Sequence, residues 1–137
     1  MTTNKLIAHI LLKKEGKYLL IKRTKIKRGI PNVFPEYWDI PGGRVEVGEL
    51  PKEAAIREAF EEVGQDVVIT GIIHEDSNFD KEKNIIFTRL VYKGEIISEK
   101  NIVLDPEEHT NYMFVHKINC NDQIVDYVKK ILKNTKS

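Results

Sequence analysis

One stretch constrains this chain more than any other: residues 41–65, PGGRVEVGELPKEAAIREAFEEVGQ. It opens with a Gly-Gly pair that reads as a turn, passes through a short extended piece and continues as a helix. Pro51 suits the first helical position, where its missing N–H is no loss and its φ is already helical. Gly64 suits the other end, where a residue without Cβ takes the left-handed conformation at little cost. At 100° per residue, Glu58, Glu61 and Glu62 fall within one arc of about 100°. Ile56, Ala59, Phe60 and Val63 fall on the opposite side, which is the expected buried face. Like charges at these spacings each cost an isolated helix roughly 0.2–0.5 kcal/mol. A solvated glutamate face is one reading of that arc. The other is a site, favoured by three neighbours: Ala54 and Ala55 leave room beside the arc, Arg57 can pair with Glu61 and with Glu53, and Gly42 and Gly43 bring bare backbone close. Hard cations such as Mg²⁺ take oxygen from one or two carboxylates together with substrate phosphates, so the pattern fits a metal–phosphate site.

The same residues resemble the signature of the Nudix hydrolases, G-x5-E-x7-R-E-U-x-E-E-x-G-U, where U is a bulky aliphatic residue. Gly43 is followed by Glu49 and then by Arg57, Glu58, Glu61, Glu62 and Gly64 at the required spacing. Ala59 and Gln65 depart from two U positions, which bears on local packing. The box covers 43–65, about a sixth of the chain.

The remainder is bounded by length and charge. A chain of 137 residues reads as one domain, 1–137, able to bury roughly two-thirds of its unfolded surface. With 22 basic and 21 acidic side chains no net field points to nucleic acid or to a membrane. The single Cys120 excludes an internal disulfide framework and suits a reducing cytoplasm. The N-terminal apolar run, about eight residues between polar flanks, is too short to span a bilayer and lacks a secretory cleavage site.

Strands are expected over 5–13 and Lys17–Arg23, joined at Lys14-Glu15-Gly16. Leu6, Ala8, Ile10 and Leu12 lie on one face, with Ile7, His9 and Leu11 on the other, as in a strand covered on both sides. His9 reads as a satisfied core or pocket residue. Residues 22–28, KRTKIKR, form a basic loop whose cations could face phosphates. Further strands are expected over 66–74, 84–92 and 112–117, with EDSNFDKEK as a surface turn and Lys93-Gly94-Glu95 as another. A helix closes the chain, capped by Asn121, with Ile124, Val128, Ile131 and Leu132 on one side.

What the resemblance implies is a single-domain α/β/α sandwich around a mixed sheet. The activity it implies is Mg²⁺-dependent hydrolysis within a nucleotide's diphosphate linkage, with Mn²⁺ as a substitute. It further implies Glu58, Glu61 and Glu62 as metal carboxylates, with the Gly42 carbonyl and Glu49 as additional ligands. Arg57 would orient the carboxylates, and Glu58 or Glu108 would accept the proton of the attacking water. Glu107 is the rival of Glu108. Arg23, Gly43 and Trp38 are substrate-binding candidates of the MutT type, and Trp38 reads equally as packing. The expected substrate is a (deoxy)nucleoside triphosphate, cut to monophosphate and pyrophosphate. The alternatives are a nucleoside diphosphate linked to a sugar or second nucleoside, and a non-catalytic nucleotide sensor. The expected protein is cytoplasmic, a monomer or homodimer, acting on a small molecule with no nucleic acid or membrane required.

Overall fold

In the computed structural model, residues 1–117 and 123–134 are described. The first hairpin joins β1 (Thr3–Lys14) to β2 (Lys17–Arg23). Its loop is Glu15-Gly16, both at positive φ, the two-residue turn whose twist matches the flanking strands. Two short strands, β3 (Ile26–Lys27) and β4 (Ile30–Pro31), turn the expected basic loop into a small hairpin of its own. Then come β5 (Trp38–Asp39), β6 (Gly42–Arg44), α1 (Pro51–Val63), β7 (Val67–Asp80), β8 (Ile85–Ile96), β9 (His109–Val115) and α2 (Asp126–Asn134).

The sheet is mixed. One edge of β1 pairs in parallel with β8 from Thr3 to Lys13, and β8 pairs antiparallel with β7. The other edge of β1 meets β2 only at the turn, through Lys13 and Lys14. Beyond that the two strands diverge. β6 takes up the free edge of β1 at Ile7–His9, and β5 pairs with β2 at Ile21 and Lys22. Because β9 already occupies the other edge of β2, residues 38–44 must fill the wedge between β1 and β2. Their backbone is satisfied there: the Ile10 amide donates to the Pro41 carbonyl at 2.9 Å.

Each face of the sheet buries one core. Ala8, Ile10, Leu12, Leu19 and Ile21 meet Ala54, Ala55, Ala59 and Val63 of α1. Leu11, Leu20, Ile40 and Val91 meet Ile124, Val128 and Ile131 on the α2 side. Full burial of such aliphatic side chains contributes about 1.5–3 kcal/mol each. The alternation read from β1 is the cause, since successive side chains point to opposite faces. The result is the α/β/α sandwich with a mixed sheet expected from the sequence. Among the described residues no helix is long and apolar enough to cross a membrane.

Several local expectations are corrected. Gly42-Gly43 is a strand, not a turn, because both residues pair with β1. Lys93-Gly94-Glu95 lies inside β8; a Cβ on Gly94 would stand 2.6 Å from the Val68 carbonyl oxygen, so this glycine serves a close backbone approach. Most of EDSNFDKEK continues β7 to Asp80, paired along its whole length with β8. The last strand begins at His109, three residues early. Asn121 and Cys120 lie outside the described residues.

The largest correction concerns α1. Ile56 is 42% and Phe60 57% exposed, while Ala54, Ala55, Ala59, Val63 and Glu62 are buried. The helix lies against the sheet by its small residues and a carboxylate, and its large apolar side chains face outward. The helix ends read correctly. Glu53 accepts from the Leu50 amide at 2.8 Å, and Gly64, at φ +67°, donates to the Phe60 carbonyl.

Candidate active site

The helix delivers the charged cluster. Arg57 sits at its centre, 25% exposed. Its Nε and Nη2 donate to the two oxygens of Glu49 at 2.8 and 3.0 Å. Its Nη1 donates to Glu58 at 2.7 Å and to Glu61 at 3.1 Å, and Nη2 also reaches the Arg44 carbonyl. A planar guanidinium can organise several carboxylates in this way because its donors form a rigid fork. Glu53, a second expected partner, is engaged at the cap instead. The Arg57 hydrogen bond, followed by the Glu46 amide, holds Glu49 below the usual carboxylate range.

Glu62 is the buried member of the group. It accepts from the Gly42 amide at 2.7 Å. Burial first, then the charges of Glu58 and Glu108, pushes its carboxyl well above the usual range; the Gly42 amide opposes this. The glycines of β6 make the approach feasible. A Cβ on Gly43 would stand 2.8 Å from the Glu58 carboxylate, and one on Gly42 would collide with the His9 ring.

Across the cleft stands the loop before β9. Glu108 pairs with Lys27 at 3.0 Å and with Arg28 at 3.3 Å. Burial raises its carboxyl, but the Lys27 hydrogen bond and the Lys27 and Arg28 charges outweigh that and bring it below the usual range. Glu107, the rival, is exposed and, among the described residues, paired with Arg28. A cleft of about 50 Å³ lies between Glu62, Glu108, Gly42, Arg23 and Lys27. The two carboxyls facing it are driven in opposite directions, the condition under which one accepts and another carries a proton at the same pH.

Arg23 faces this cleft but is heavily engaged: Nε donates to the Val33 carbonyl, Nη2 to Asn32 and Nη1 to Asp39 at 3.0 Å. Trp38 packs half-buried against the α2-side core with Lys22 over its ring, and it does not line the cleft. The expected residues therefore divide. Arg57, Glu49, Glu58 and Glu61 form one hydrogen-bonded group; Glu62, Gly42, Glu108 and Arg23 line the cleft beside it; Gly43 abuts Glu58.

Four residues at or beside this cleft were not assigned from the sequence. His109 is 6% exposed, its Nδ1 has no hydrogen-bond partner among the described residues, and it lies 3.8 Å from Glu62. Burial is the main cause that lowers it to about 4. Asp39 accepts from both Arg23 and the Tyr127 hydroxyl, the latter at 2.7 Å. Tyr127 also meets Nδ1 of His9 at 2.9 Å, and burial lowers His9 and raises Tyr127. Only the Glu-His pair 108–109 carried a local signal. Asp39 and Tyr127 lie far apart in the chain, so no spacing could join them.

The carboxylates suit a divalent cation. Glu58 and Glu62 repel one another, and the buried Nδ1 of His109, 3.8 Å from Glu62, has no hydrogen-bond partner among the described residues. Among the described residues, three His, Cys, Asp or Glu side chains are not already gathered around one point; Glu58 and Glu61 are hydrogen-bonded to Arg57.

Comparison with known proteins places this arrangement. A Bacillus subtilis (strain 168) protein named as an 8-oxo-dGTP diphosphatase is 35% identical over 80 residues, 57% of this chain and 48% of that protein. Nucleoside triphosphatase NudI of Escherichia coli K12 is 45% identical over 62 residues, 45% of this chain and 41% of NudI. The matched stretch thus spans about half the length of these curated relatives. The crystal structure of a MutT NUDIX hydrolase from Burkholderia pseudomallei superposes with a TM-score of 0.80 at 19% identity, covering 98% of this chain and 99% of that one. A MutT protein from Methanosarcina mazei Go1 superposes at 0.75 with 25% identity, over 96% and 92%. The first of these structures speaks for the fold alone. The sequence model of the NUDIX domain matches residues 3–127, and with the arginine-centred carboxylates borne on α1, the chain belongs to the NUDIX family.

Proposed function

We propose that this protein is a divalent-metal-dependent hydrolase that cuts within the diphosphate linkage of a nucleotide, first of all a (deoxy)nucleoside triphosphate to monophosphate and pyrophosphate. The observation that carries this reading is the Arg57-centred carboxylate group beside the cleft between Glu62 and Glu108. The names of the B. subtilis and E. coli relatives support the substrate class.

Glu58, Glu61 and Glu62 would hold the cation, with the Gly42 carbonyl and Glu49 as additional ligands. When bound, Mg²⁺ or Mn²⁺ would neutralise phosphate oxygens and acidify the attacking water. The protein's own residues do the rest. Arg57 fixes the orientation of Glu49, Glu58 and Glu61, as partners one shell out do for metal ligands. A carboxylate takes the proton of the water as its oxygen bonds to phosphorus and the pyrophosphate or monophosphate oxygen departs. Glu58 is the first candidate, since only its Oε1 is given to Arg57. Both oxygens of Glu108, the second candidate, are paired with cations. Lys27 and Arg23 line the cleft where substrate phosphates would lie.

The test is hydrolysis of a panel of nucleoside triphosphates, oxidised triphosphates, sugar nucleotides and dinucleoside polyphosphates, with Mg²⁺ and with EDTA, and with the products resolved. Metal-dependent release of pyrophosphate from triphosphates is the expected result. Full activity in EDTA would refute the metal site. A kcat/KM at least tenfold higher for a substrate other than a triphosphate, about 1.4 kcal/mol of transition-state preference, would refute the substrate class alone.

A further inference from the structure

Arg23 lines both the carboxylate cleft and a larger cavity of about 540 Å³ on the α2 side of the sheet. Its guanidinium is held at three points. Nε donates to the Val33 carbonyl at 2.8 Å, Nη2 to Asn32 at 3.0 Å and Nη1 to Asp39 at 3.0 Å. A guanidinium has five N–H donors, so one hydrogen on each terminal nitrogen has no partner among the described residues. Lys27, another cation lining the cleft, is instead committed to Glu108.

The carboxylate that holds Nη1 is itself held. Asp39 is buried, and both its oxygens are taken: Oδ2 by Arg23, and Oδ1 by the Ile40 amide and the Tyr127 hydroxyl, each at 2.7 Å. Because a carboxylate only accepts, Tyr127 gives its single hydrogen to Asp39. Its oxygen then accepts from Nδ1 of His9 at 2.9 Å, which fixes the hydrogen on that nitrogen. The Ile40 carbonyl, 3.3 Å from the same nitrogen, is a second acceptor for it. The bonds thus run in one direction, from His9 through Tyr127 to Asp39, and Arg23 converges on Asp39 from the other oxygen.

The Tyr127 ring is clamped as well. Arg89 lies over its face, 4.0 Å from the centroid, and His9 stands at its edge with the ring centroids 5.2 Å apart. Arg89 in turn is fixed by Asp76, which also accepts from His74. Docking of α2 does not need the hydroxyl. Backbone hydrogen bonds from Val125 to Trp38 and from Trp38 to Gln123 anchor the approach to the helix, and Ile124, Val128 and Ile131 are buried in the core on that side. What the hydroxyl adds is a donor to the buried carboxylate that steers Arg23.

We infer that Tyr127 is a positioning residue for phosphate binding: through Asp39, its hydroxyl sets the aim of the Arg23 guanidinium before substrate arrives. This role rests on the nucleotide-hydrolase reading. A donor fixed in advance spares the cost of ordering it when the ligand binds, and the planar fork of an arginine gains most from such fixing. Without the hydroxyl, Asp39 keeps the Ile40 amide on Oδ1 but loses the side-chain donor that holds it against Arg23.

Inorganic pyrophosphate is the probe, since it carries phosphate groups without a base or a sugar. Titration calorimetry in the presence of Mg²⁺ should show Tyr127→Phe binding it at least about fivefold more weakly than the wild type, within the coupling range of residues in one hydrogen-bond network. In an Arg23→Gln background the same substitution should change the affinity by less than about twofold, because the two residues act as one unit. A hydroxyl that served only the fold would cost the same in both backgrounds. Asp39→Asn gives a second route, since an amide presents an acceptor on one side only. It should weaken pyrophosphate binding and likewise lose its effect beside Arg23→Gln. Thermal melting identifies any variant that does not fold, and either folded variant decides. Wild-type protein that fails to bind pyrophosphate, folded variants that bind it as the wild type does, or losses that persist in full beside Arg23→Gln would each overturn this role. Nucleotide hydrolysis without the coupled losses would remove the role of Tyr127 and leave the hydrolase standing. Coupled losses without any hydrolysis would do the reverse.

Discussion

At the scale of single residues, Glu62 concentrates the tension of the site. It is buried, one hydrogen bond from the β6 backbone, and close to two other carboxylates. Ionising it without a cation costs folding free energy, because its carboxyl is raised in the fold above its unfolded value. Glu62→Gln removes that cost and keeps an oxygen for the Gly42 amide. In EDTA at pH 7 the variant should melt at a higher temperature than the wild type. With Mg²⁺ its turnover should be lower by about two or more orders of magnitude, as when a central electrostatic group is lost. A variant that melts lower in EDTA, or turns over near the wild-type rate, would contradict this account. Calorimetry and steady-state kinetics provide the two readings.

At the scale of elements, α1 and β6 act as one unit. The glycines of β6 let the helix carboxylates rest against bare backbone. Gly43→Ala places a methyl group 2.8 Å from the Glu58 carboxylate. The expected outcome is a fall in kcat of at least about tenfold, because Glu58 must move and its geometry matters to within about an ångström. Far-UV circular dichroism should show an intact fold, and an unchanged kcat would refute the role given to Gly43. This unit was largely legible in the sequence. Pro51, Gly64 and the spacing from Gly43 to Gly64 specify a helix, its ends and its acidic residues by local rules. What escaped was its orientation. Ile56 and Phe60 read as the buried face because large apolar side chains usually are. A helix that must bring carboxylates to a sheet needs small residues there instead, and Ala54, Ala55 and Ala59 serve that purpose. The strand extensions were missed for a related reason: polar residues such as Glu75, Asp76, Ser77 and Asn78 look like a turn, yet cross-strand pairing with β8 holds them extended.

At the scale of the whole molecule, two histidines are held neutral within the fold. Burial lowers both His9 and His109, the latter to about 4. An unfolded chain protonates them near the ordinary value of about 6.5, so below that pH the unfolded state binds more protons and stability falls toward acid. For His109 the loss is of order 3 kcal/mol once the pH is below both values. Glu62 has the opposite sign: raised in the fold, it binds its proton more readily than the unfolded chain does and adds stability as pH falls toward the ordinary carboxylate range. In EDTA, the Glu62→Gln protein should therefore lose more melting temperature between pH 7 and pH 4.5 than the wild type loses. Equal losses in the two proteins would show that these groups do not oppose one another. The polar network behind the histidines was not legible, since His9, Asp39 and Tyr127 meet only once β1, β5 and α2 have packed.

The wedge that opens between β1 and β2 has a consequence for how such a protein can change. It puts the carboxylates of α1 on one side of the sheet and a cavity of about 540 Å³ on the α2 side, with His9, Arg23 and Asp39 lining both the cleft and that cavity. Substitutions at His74, Asp76 or Arg89 lie on other strands from the acidic helix and leave its internal hydrogen bonds untouched. Under the proposed function, descendants of one such chain can therefore change on the α2 side while inheriting the same acidic helix, which turns a split in a sheet into a source of diversification.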